Sequence, residues 1–306
     1  MDFPGTFIIM AAVVCYLLAL QWGGTTKSWS DSTVIGTLIG FGLLTILFVA
    51  VEYLQGERAL LQGRLLKQRI FAVTCTYVFF FAGSFFSLLY YLPIYFQSIK
   101  NVSASNSGIR NLPLVIGASI FTIISGGLIT AFGHFTPIMI ISSVVATVGC
   151  GLLYTLNINS SPGAWIGYQA LAGIGTGFGL QVPIIANQAS VGPSDLSSAS
   201  SVTLFFQTIG GSFFVSASQT AFTNKLVSLI PKNAPGVDSH LVIATGATEL
   251  RKVFTAEQIG GILEAYMQGL KVTFALSIAL AGITVPIALF SPWKKLGKGV
   301  GTGAAV

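Results

Sequence analysis

The sequence predicts an all-α membrane protein with about eight transmembrane helices. Of its 306 residues, 53% are apolar and only 8% are charged, and the mean hydropathy is +0.81. A soluble domain carries about 25% charged residues. So few charges cannot cover a water-exposed globule of this size, which excludes a soluble enzyme, a nucleic-acid-binding protein and a disordered chain. The lipid bilayer is therefore the first predicted partner.

Eight apolar stretches are long enough to cross the hydrocarbon core, which takes about 20 helical residues. They cover residues 5–22, 33–53, 71–97, 111–132, 136–156, 164–188, 196–222 and 271–291. The first is a retained span rather than a secretory signal, because only Asp2 and no basic residue precedes it. The tryptophans support these ends, because indole rings prefer the headgroup level. Trp22, Trp29, Trp165 and Trp293 all fall at or just outside a predicted end.

The basic residues bear on which side of the membrane each loop faces. Eight spans place both termini on one side, together with the basic linker 54–70. That side holds seven Lys and Arg residues against eight on the other, so the full count does not decide the orientation. Short loops alone favour cytoplasmic termini. Asn101 and Asn159 begin Asn-x-Ser sequons in loops predicted to be outside and are candidate glycosylation sites.

The order of the segments predicts four parts of the chain. These are two transmembrane helices at 1–53, the cytoplasmic linker at 54–70, a six-helix bundle at 71–293 and a cytoplasmic tail at 294–306. Leucines alternate with basic residues in the linker, which suits either a helix on the membrane surface or an ordinary polar connection. An extracellular loop is predicted at 223–270. Its segment 255–267 has a helical apolar face and forms either a lid over the bundle or a plain surface helix.

The sequence contains no arrangement of residues that predicts an enzyme. No His, Cys and Asp cluster has metal-ligand spacing, and no nucleophile or nucleotide-loop motif occurs. Cys15, Cys75 and Cys150 all lie within spans and are most simply packing residues. We therefore predict no catalytic residue, no metal and no cofactor.

A run of glycines in the sixth span predicts close helix packing. Gly173 and Gly177 share one helix face, and Gly175 and Gly179 share nearly the opposite one. Pro183 follows and removes a backbone hydrogen bond. The span is therefore either a tightly packed helix or a hinge that moves.

Neutral polar and aromatic side chains are the candidates for a substrate cavity. They are Gln207, Phe206, Gln181, Tyr90, Tyr91, Asn187 and Gln188. Gln207 falls near the bilayer centre at about 1.5 Å of rise per residue. Buried amides need hydrogen-bond partners, so interhelical bonding is an equally open interpretation. No carboxylate lies near mid-span between 111 and 222, and Glu52 lies at the cytoplasmic end of its span, so no convincing proton carrier is present.

Four motifs resemble a known family. They are Leu18-Ala19-Leu20-Gln21-Trp22-Gly23-Gly24 with Trp29, Tyr90-Tyr91-Leu92-Pro93-Ile94-Tyr95-Phe96-Gln97, Ser107-Gly108-Ile109-Arg110-Asn111-Leu112-Pro113, and the stretch from Gly173 to Gln188. Together they resemble fungal drug:proton antiporters of the major facilitator superfamily with 14 helices. In that family a central pair of helices is inserted between two six-helix bundles. The two-plus-six pattern here resembles the inserted pair followed by the C-terminal bundle.

The resemblance implies a function. It implies efflux of small amphipathic drug-like or secondary-metabolite (toxin) molecules by proton antiport and alternating access. It implies a small-molecule substrate and protons as further partners, and a plasma-membrane location with a vacuolar membrane as the alternative. The N-terminal bundle is absent, and with it the family's antiporter motif and usual membrane carboxylates. The alternative is a non-transporting truncated membrane protein or one subunit of a split transporter.

Overall fold

The fold is a bundle of long α-helices joined by turns and short helices. The computed structural model describes residues 2–293 and 295, and no β-strand occurs within them. The helices in chain order are α1 (Phe3–Trp22), α2 (Ser32–Gln55), α3 (Gly63–Leu66), α4 (Arg69–Ser98), α5 (Ala104–Arg110), α6 (Leu112–Phe132), α7 (Thr136–Tyr154), α8 (Pro162–Leu180), α9 (Val182–Ala189), α10 (Leu196–Asn233), α11 (Ser239–Ala244), α12 (Leu250–Val253) and α13 (Ala256–Leu289). The predicted tail at 294–306 lies outside the described residues except for Lys295.

Seven of the described helical segments are long and apolar enough to cross a membrane. They are α1, Ser32–Arg58, α4, α6, α7, Pro162–Ala189 and α13. The other long helix, α10, has 38 residues, but serines and threonines make it more polar. It packs along both α4 and α13, in the place of the predicted span 196–222. The predicted all-α membrane fold is confirmed.

Much of the predicted extracellular segment 223–270 is helical. α10 continues to Asn233 and α13 begins at Ala256, so residues 234–255 connect the two long helices. The predicted helix at 255–267 is the start of α13, capped by Thr255 and Gln258, and is not a separate lid. Gly261 allows this extension, because a methyl group there would overlap the Asn233 carbonyl oxygen. The two helices therefore support each other beyond their apolar segments.

The linker between α2 and α4 is docked against the bundle. It contains a 3₁₀ turn at Gly56–Arg58 and the single helical turn α3. Leu65 is fully buried against Phe71 of α4 and Ala199 of α10. This docking accounts for the alternation of leucine and basic residues, because the leucines from Leu60 onwards are buried or half-buried and the basic residues are exposed.

An ion pair fixes the linker to the start of α10. The Arg64 guanidinium donates to both carboxylate oxygens of Asp195, at 3.1 and 3.0 Å, and to Glu57 at 3.3 Å. Its hydrogen bonds hold the pKa of the Asp195 carboxyl below the ordinary value. The amide of Gln62 adds a contact to the Ser198 hydroxyl at 3.3 Å. Linker and α10 are therefore joined by polar as well as apolar contacts.

The α1–α2 hairpin packs on α10 through aromatic rings. Tyr16 stacks on Phe213 with ring centroids 4.3 Å apart, and its hydroxyl donates to the Phe213 carbonyl at 3.2 Å. Thr220 of α10 donates to the Leu20 carbonyl at 2.8 Å. These contacts hold α1 beside α10 over several turns and place both helices along the cavity described below.

The glycines of α8 lie against two neighbouring helices. A methyl group at Gly173 or Gly177 would overlap carbonyl oxygens of α6, and one at Gly175 would overlap the backbone of α7. Close backbone contact of this kind is the usual basis of helix association in lipid. The helix is interrupted at Gln181, just before Pro183. Tight packing and a local break are therefore both present in this span.

Candidate functional site

A cavity of about 450 Å³ lies where α1, α4 and α10 meet. Most of its wall comes from one face of α10, since the lining positions recur every three or four residues. The lining residues are Leu17 from α1, Phe86 and Tyr90 from α4, and Leu204, Gln207, Thr208, Gly211, Ser212, Val215 and Ser216 from α10. None of these side chains is charged, so the cavity suits a neutral, largely apolar molecule.

One polar atom in this cavity has no protein partner. The side-chain oxygen of Gln207 is buried and accepts no hydrogen bond within the described part of the chain. An unsatisfied buried acceptor costs about 1–3 kcal/mol. The hydroxyl groups of Thr208, Ser212 and Ser216 lie along the same wall. A ligand that donates a hydrogen bond to Gln207 would remove this cost.

The rotation of α4 about its axis determines which of its aromatic side chains line the cavity. Gly211 leaves room for Phe86 beside α10, because a methyl group there would come within 2.6 Å of the phenyl ring. Tyr90 is 61% exposed and forms the open side of the cavity. Tyr91 points away from the cavity, is buried, and donates to Gln219 at 2.9 Å. Of the two neighbouring tyrosines, only Tyr90 lines the cavity.

Two of the predicted amides are engaged in interhelical hydrogen bonds. Asn187 is fully buried, accepts from the Thr74 hydroxyl at 2.7 Å and donates to Thr203 at 2.8 Å. Gln188 donates to the Ser200 hydroxyl at 2.8 Å. These bonds join α9 to α4 and α10, away from the cavity.

The remaining two candidates also lie outside the cavity. Phe206 packs with Leu65 and Phe71 in the cluster that docks the linker. Gln181 lies at the break between α8 and α9, where its carbonyl accepts from the Ile185 amide at 3.2 Å. Of the seven predicted candidates, Gln207 and Tyr90 line the cavity; the others lie elsewhere.

Some cavity residues were missed by sequence reasoning. Thr208, Ser212 and Ser216 recur every fourth residue and form a polar stripe on α10 beside Gln207. That spacing was visible in the sequence and could have identified them. Nothing in the sequence marked Leu17 as a cavity residue, because its place in the wall depends on how α1 packs against α10.

A second cavity of about 460 Å³ lies between α6 and α8. It is lined by apolar side chains and by Arg110, whose guanidinium lies 5.7 Å from the ring centre of Trp165. None of the predicted cavity candidates lines it. The sequons lie near this end of the bundle, and both Asn101 and Asn159 are exposed. Among residues 2–293, no group of His, Cys, Asp and Glu is arranged to hold a metal.

A match to a family sequence profile identifies the family of this chain. The profile of the Major Facilitator Superfamily matches residues 2–215, more than half of the chain. The chain belongs to the major facilitator superfamily. It is thus an integral membrane protein, and its family is one of transporters rather than enzymes.

Fungal transporters of this superfamily are similar over nearly the whole chain. An MFS-type transporter of Pestalotiopsis microspora is 50% identical over 294 residues, covering 96% of this chain and 54% of that protein. The efflux pump roqT of Penicillium rubens is 39% identical, with 97% of this chain and 55% of that protein covered. An MFS-type efflux pump of Trichophyton rubrum is 38% identical over 100% of this chain and 57% of its own length. The predicted resemblance to fungal transporters of the major facilitator superfamily is confirmed.

A solved structure supports the major facilitator fold. A bacterial homologue of the human lysosomal transporter Spinster, in an inward-facing and occupied conformation, matches with a TM-score of 0.59. It is 15% identical, and the match covers 87% of this chain and 59% of that protein. The chain also spans about half the length of the curated relatives it matches.

Proposed function

We propose that this major facilitator chain provides one wall of the substrate pathway in an efflux transporter for small amphipathic molecules. The observation that carries the proposal is the uncharged cavity beside α10, with the buried and unpaired oxygen of Gln207 in its wall. The names of the fungal relatives, which include efflux pumps, support export as the direction of transport. The substrate is a neutral molecule with an apolar body and at least one hydrogen-bond donor.

The mechanism that fits this family is alternating access coupled to protons. Two bundles rock about a site near the midplane, and the ligand contacts both. Because the chain spans about half the length of its relatives, the opposite wall would come from a second bundle. The proposal includes plasma-membrane residence, with cytoplasmic termini and a proton-carrying carboxylate supplied by that second bundle.

Replacing Gln207 by leucine is expected to remove the preference of the cavity for hydrogen-bond donors. The purified chain is titrated with two fluorescent probes of similar size, 1-naphthol and its methyl ether 1-methoxynaphthalene. We expect the unmodified chain to bind the naphthol about tenfold more tightly, since one hydrogen bond to a buried acceptor contributes about 1–1.5 kcal/mol. In Gln207→Leu the two probes should bind equally.

The control for this experiment is Gln188→Leu. It makes the same change outside the cavity, and Ser200 keeps its bond to the Leu196 carbonyl. Its preference for 1-naphthol should match that of the unmodified chain. If Gln207→Leu retains the preference as well, Gln207 does not bind the ligand.

Whether the chain works alone is tested in yeast that lacks its own drug pumps. We expect the chain by itself to give no proton-dependent export of lipophilic dyes, because one bundle cannot alternate access. Restored export would contradict this expectation. Crosslinking in native membranes distinguishes the split-transporter alternative, which predicts a complex with a six-helix partner rather than a lone monomer.

A further inference from the structure

Two carboxyl groups meet at the end of the α1–α2 hairpin. Asp2 caps α1 by accepting from the Gly5 amide at 2.7 Å, and Glu52 lies in the last turn of α2. Only 6% of Asp2 and 8% of Glu52 is exposed. A methyl group at Gly5 would contact oxygen atoms of both side chains, so the two carboxyl groups lie side by side. The structure therefore buries two acids side by side.

No basic side chain neutralises this pair in the described part of the chain. None of the ion pairs there includes Asp2 or Glu52. Among the charged groups on the adjoining turn, Glu57 and Arg58 are exposed, and Arg64 is engaged with Asp195 and Glu57. Two ionised carboxylates side by side, with little exposed surface, would repel each other. One proton between them removes that repulsion.

The surroundings of the two side chains indicate where that proton lies. The Oε1 atom of Glu52 is buried and accepts no hydrogen bond within the described residues, so it is free to carry a proton and donate it toward Asp2. Burial opposes ionisation of Asp2, but the bonds it accepts from Glu52, from the Gly5 amide and from Gln55 together hold its pKa below the ordinary value. Asp2 is therefore the ionised acceptor and Glu52 the protonated donor.

The same two acids hold the beginning of the linker. The Leu60 amide donates to Asp2 at 3.4 Å, and the Leu61 amide donates to Glu52 at 2.6 Å. The other end of the linker is held at the start of α10 by Arg64 and Asp195. The acid pair thus joins α1, α2 and the linker, which itself contacts the helix that carries Gln207.

We propose that Asp2 and Glu52 form a proton-binding pair that keeps the linker docked against α10 and lets it go as the pH rises. The docked linker binds one proton more than the released one, in which the two acids separate and ionise independently. Docking therefore weakens as the pH rises past the point where the shared proton leaves. This proposal does not depend on the transport function.

Hydrogen exchange at the Leu60 and Leu61 amides tests the proposal. The purified chain is measured between about pH 5 and pH 9, with exchange corrected for its intrinsic pH dependence. Once the shared proton begins to leave, protection of these amides should fall by about tenfold per pH unit, as expected for one linked proton. In Glu52→Gln the amide group donates permanently to Asp2, so protection should stay constant over the same range.

Glu57→Gln is the matched control, since it removes an exposed acid from the same turn. It should lose protection with rising pH as the unmodified chain does. Loss of protection with rising pH in Glu52→Gln would overturn the proposal. Constant protection in the unmodified chain would overturn it as well.

Infrared spectroscopy provides a test that does not require the linker to move. The unmodified chain should show the carbonyl stretching band of a protonated carboxylic acid at neutral pH, and Asp2→Asn or Glu52→Gln should lack it. If the unmodified chain has no such band at neutral pH, the two acids do not share a proton and the proposal fails.

Discussion

Replacing Gly177 by leucine is expected to destabilise the bundle by about 3 kcal/mol or more, which is the upper end of the cost of overpacking. The added side chain would overlap the Ala118 carbonyl oxygen of α6. A backbone atom cannot change rotamer, so α6 and α8 would have to separate. We expect loss of monodisperse protein in detergent, or a clearly lower midpoint of thermal unfolding.

Gly167→Leu is the matched control for this change. Gly167 lies on the same helix but is exposed, and nothing lies within 4 Å of the position that its side chain would take. The same substitution should therefore leave the unfolding midpoint nearly unchanged. Equal destabilisation by both variants would show that the cost comes from helix propensity or solubility and not from contact with α6.

Replacing Arg251 by alanine is expected to release the segment 234–255 at a cost of about 2 kcal/mol, as for hydrogen bonds to a charged group. The guanidinium donates to the Ser98 carbonyl at 2.7 Å and to the Ile99 carbonyl at 3.3 Å. These carbonyls end α4, where a positive charge is also favourable. We expect faster proteolysis and hydrogen exchange within 234–255 and little change in the linker.

Lys252→Ala provides the comparison for Arg251. Lys252 is the next residue, is highly exposed and, among the described residues, pairs only with Glu249 of the same segment. A surface ion pair of this kind contributes about 0–1 kcal/mol, so its loss should leave the segment protected. If the two variants expose the segment equally, the contact between Arg251 and α4 does not hold it in place.

The positions of the membrane helices could be predicted because lipid imposes a length on each apolar stretch. The extension of α10 to Asn233 and the early start of α13 could not be predicted in this way. Those turns are polar enough for water, and what stabilises them is contact between two helices at Gly261. Hydropathy reports the environment of one segment and carries no information on such pairing.

For the side chains of the cavity as well, the sequence predicts only part of the arrangement. The sequence could predict that Gln207 and the two tyrosines lie within spans, because depth follows from position along a helix. It could not predict rotation. Successive residues differ by about 100° around the axis, so Tyr90 lines the cavity while Tyr91 is buried against Gln219. Likewise, only the packed structure shows that Asn187 bonds to Thr74 and Thr203, while the side-chain oxygen of Gln207 accepts no hydrogen bond from the described residues.

The unbroken length of α10 has a mechanical consequence. Its 38 residues form a rod about 57 Å long. Asp195, just before its first residue, binds Arg64 of the linker, and Asn233 at its other end contacts α13. A tilt of about 5° pivoted at one end would shift the other by about 5 Å, given that length. A tilt of α10 would therefore move both contacts together, and with them Gln207, which lies between them.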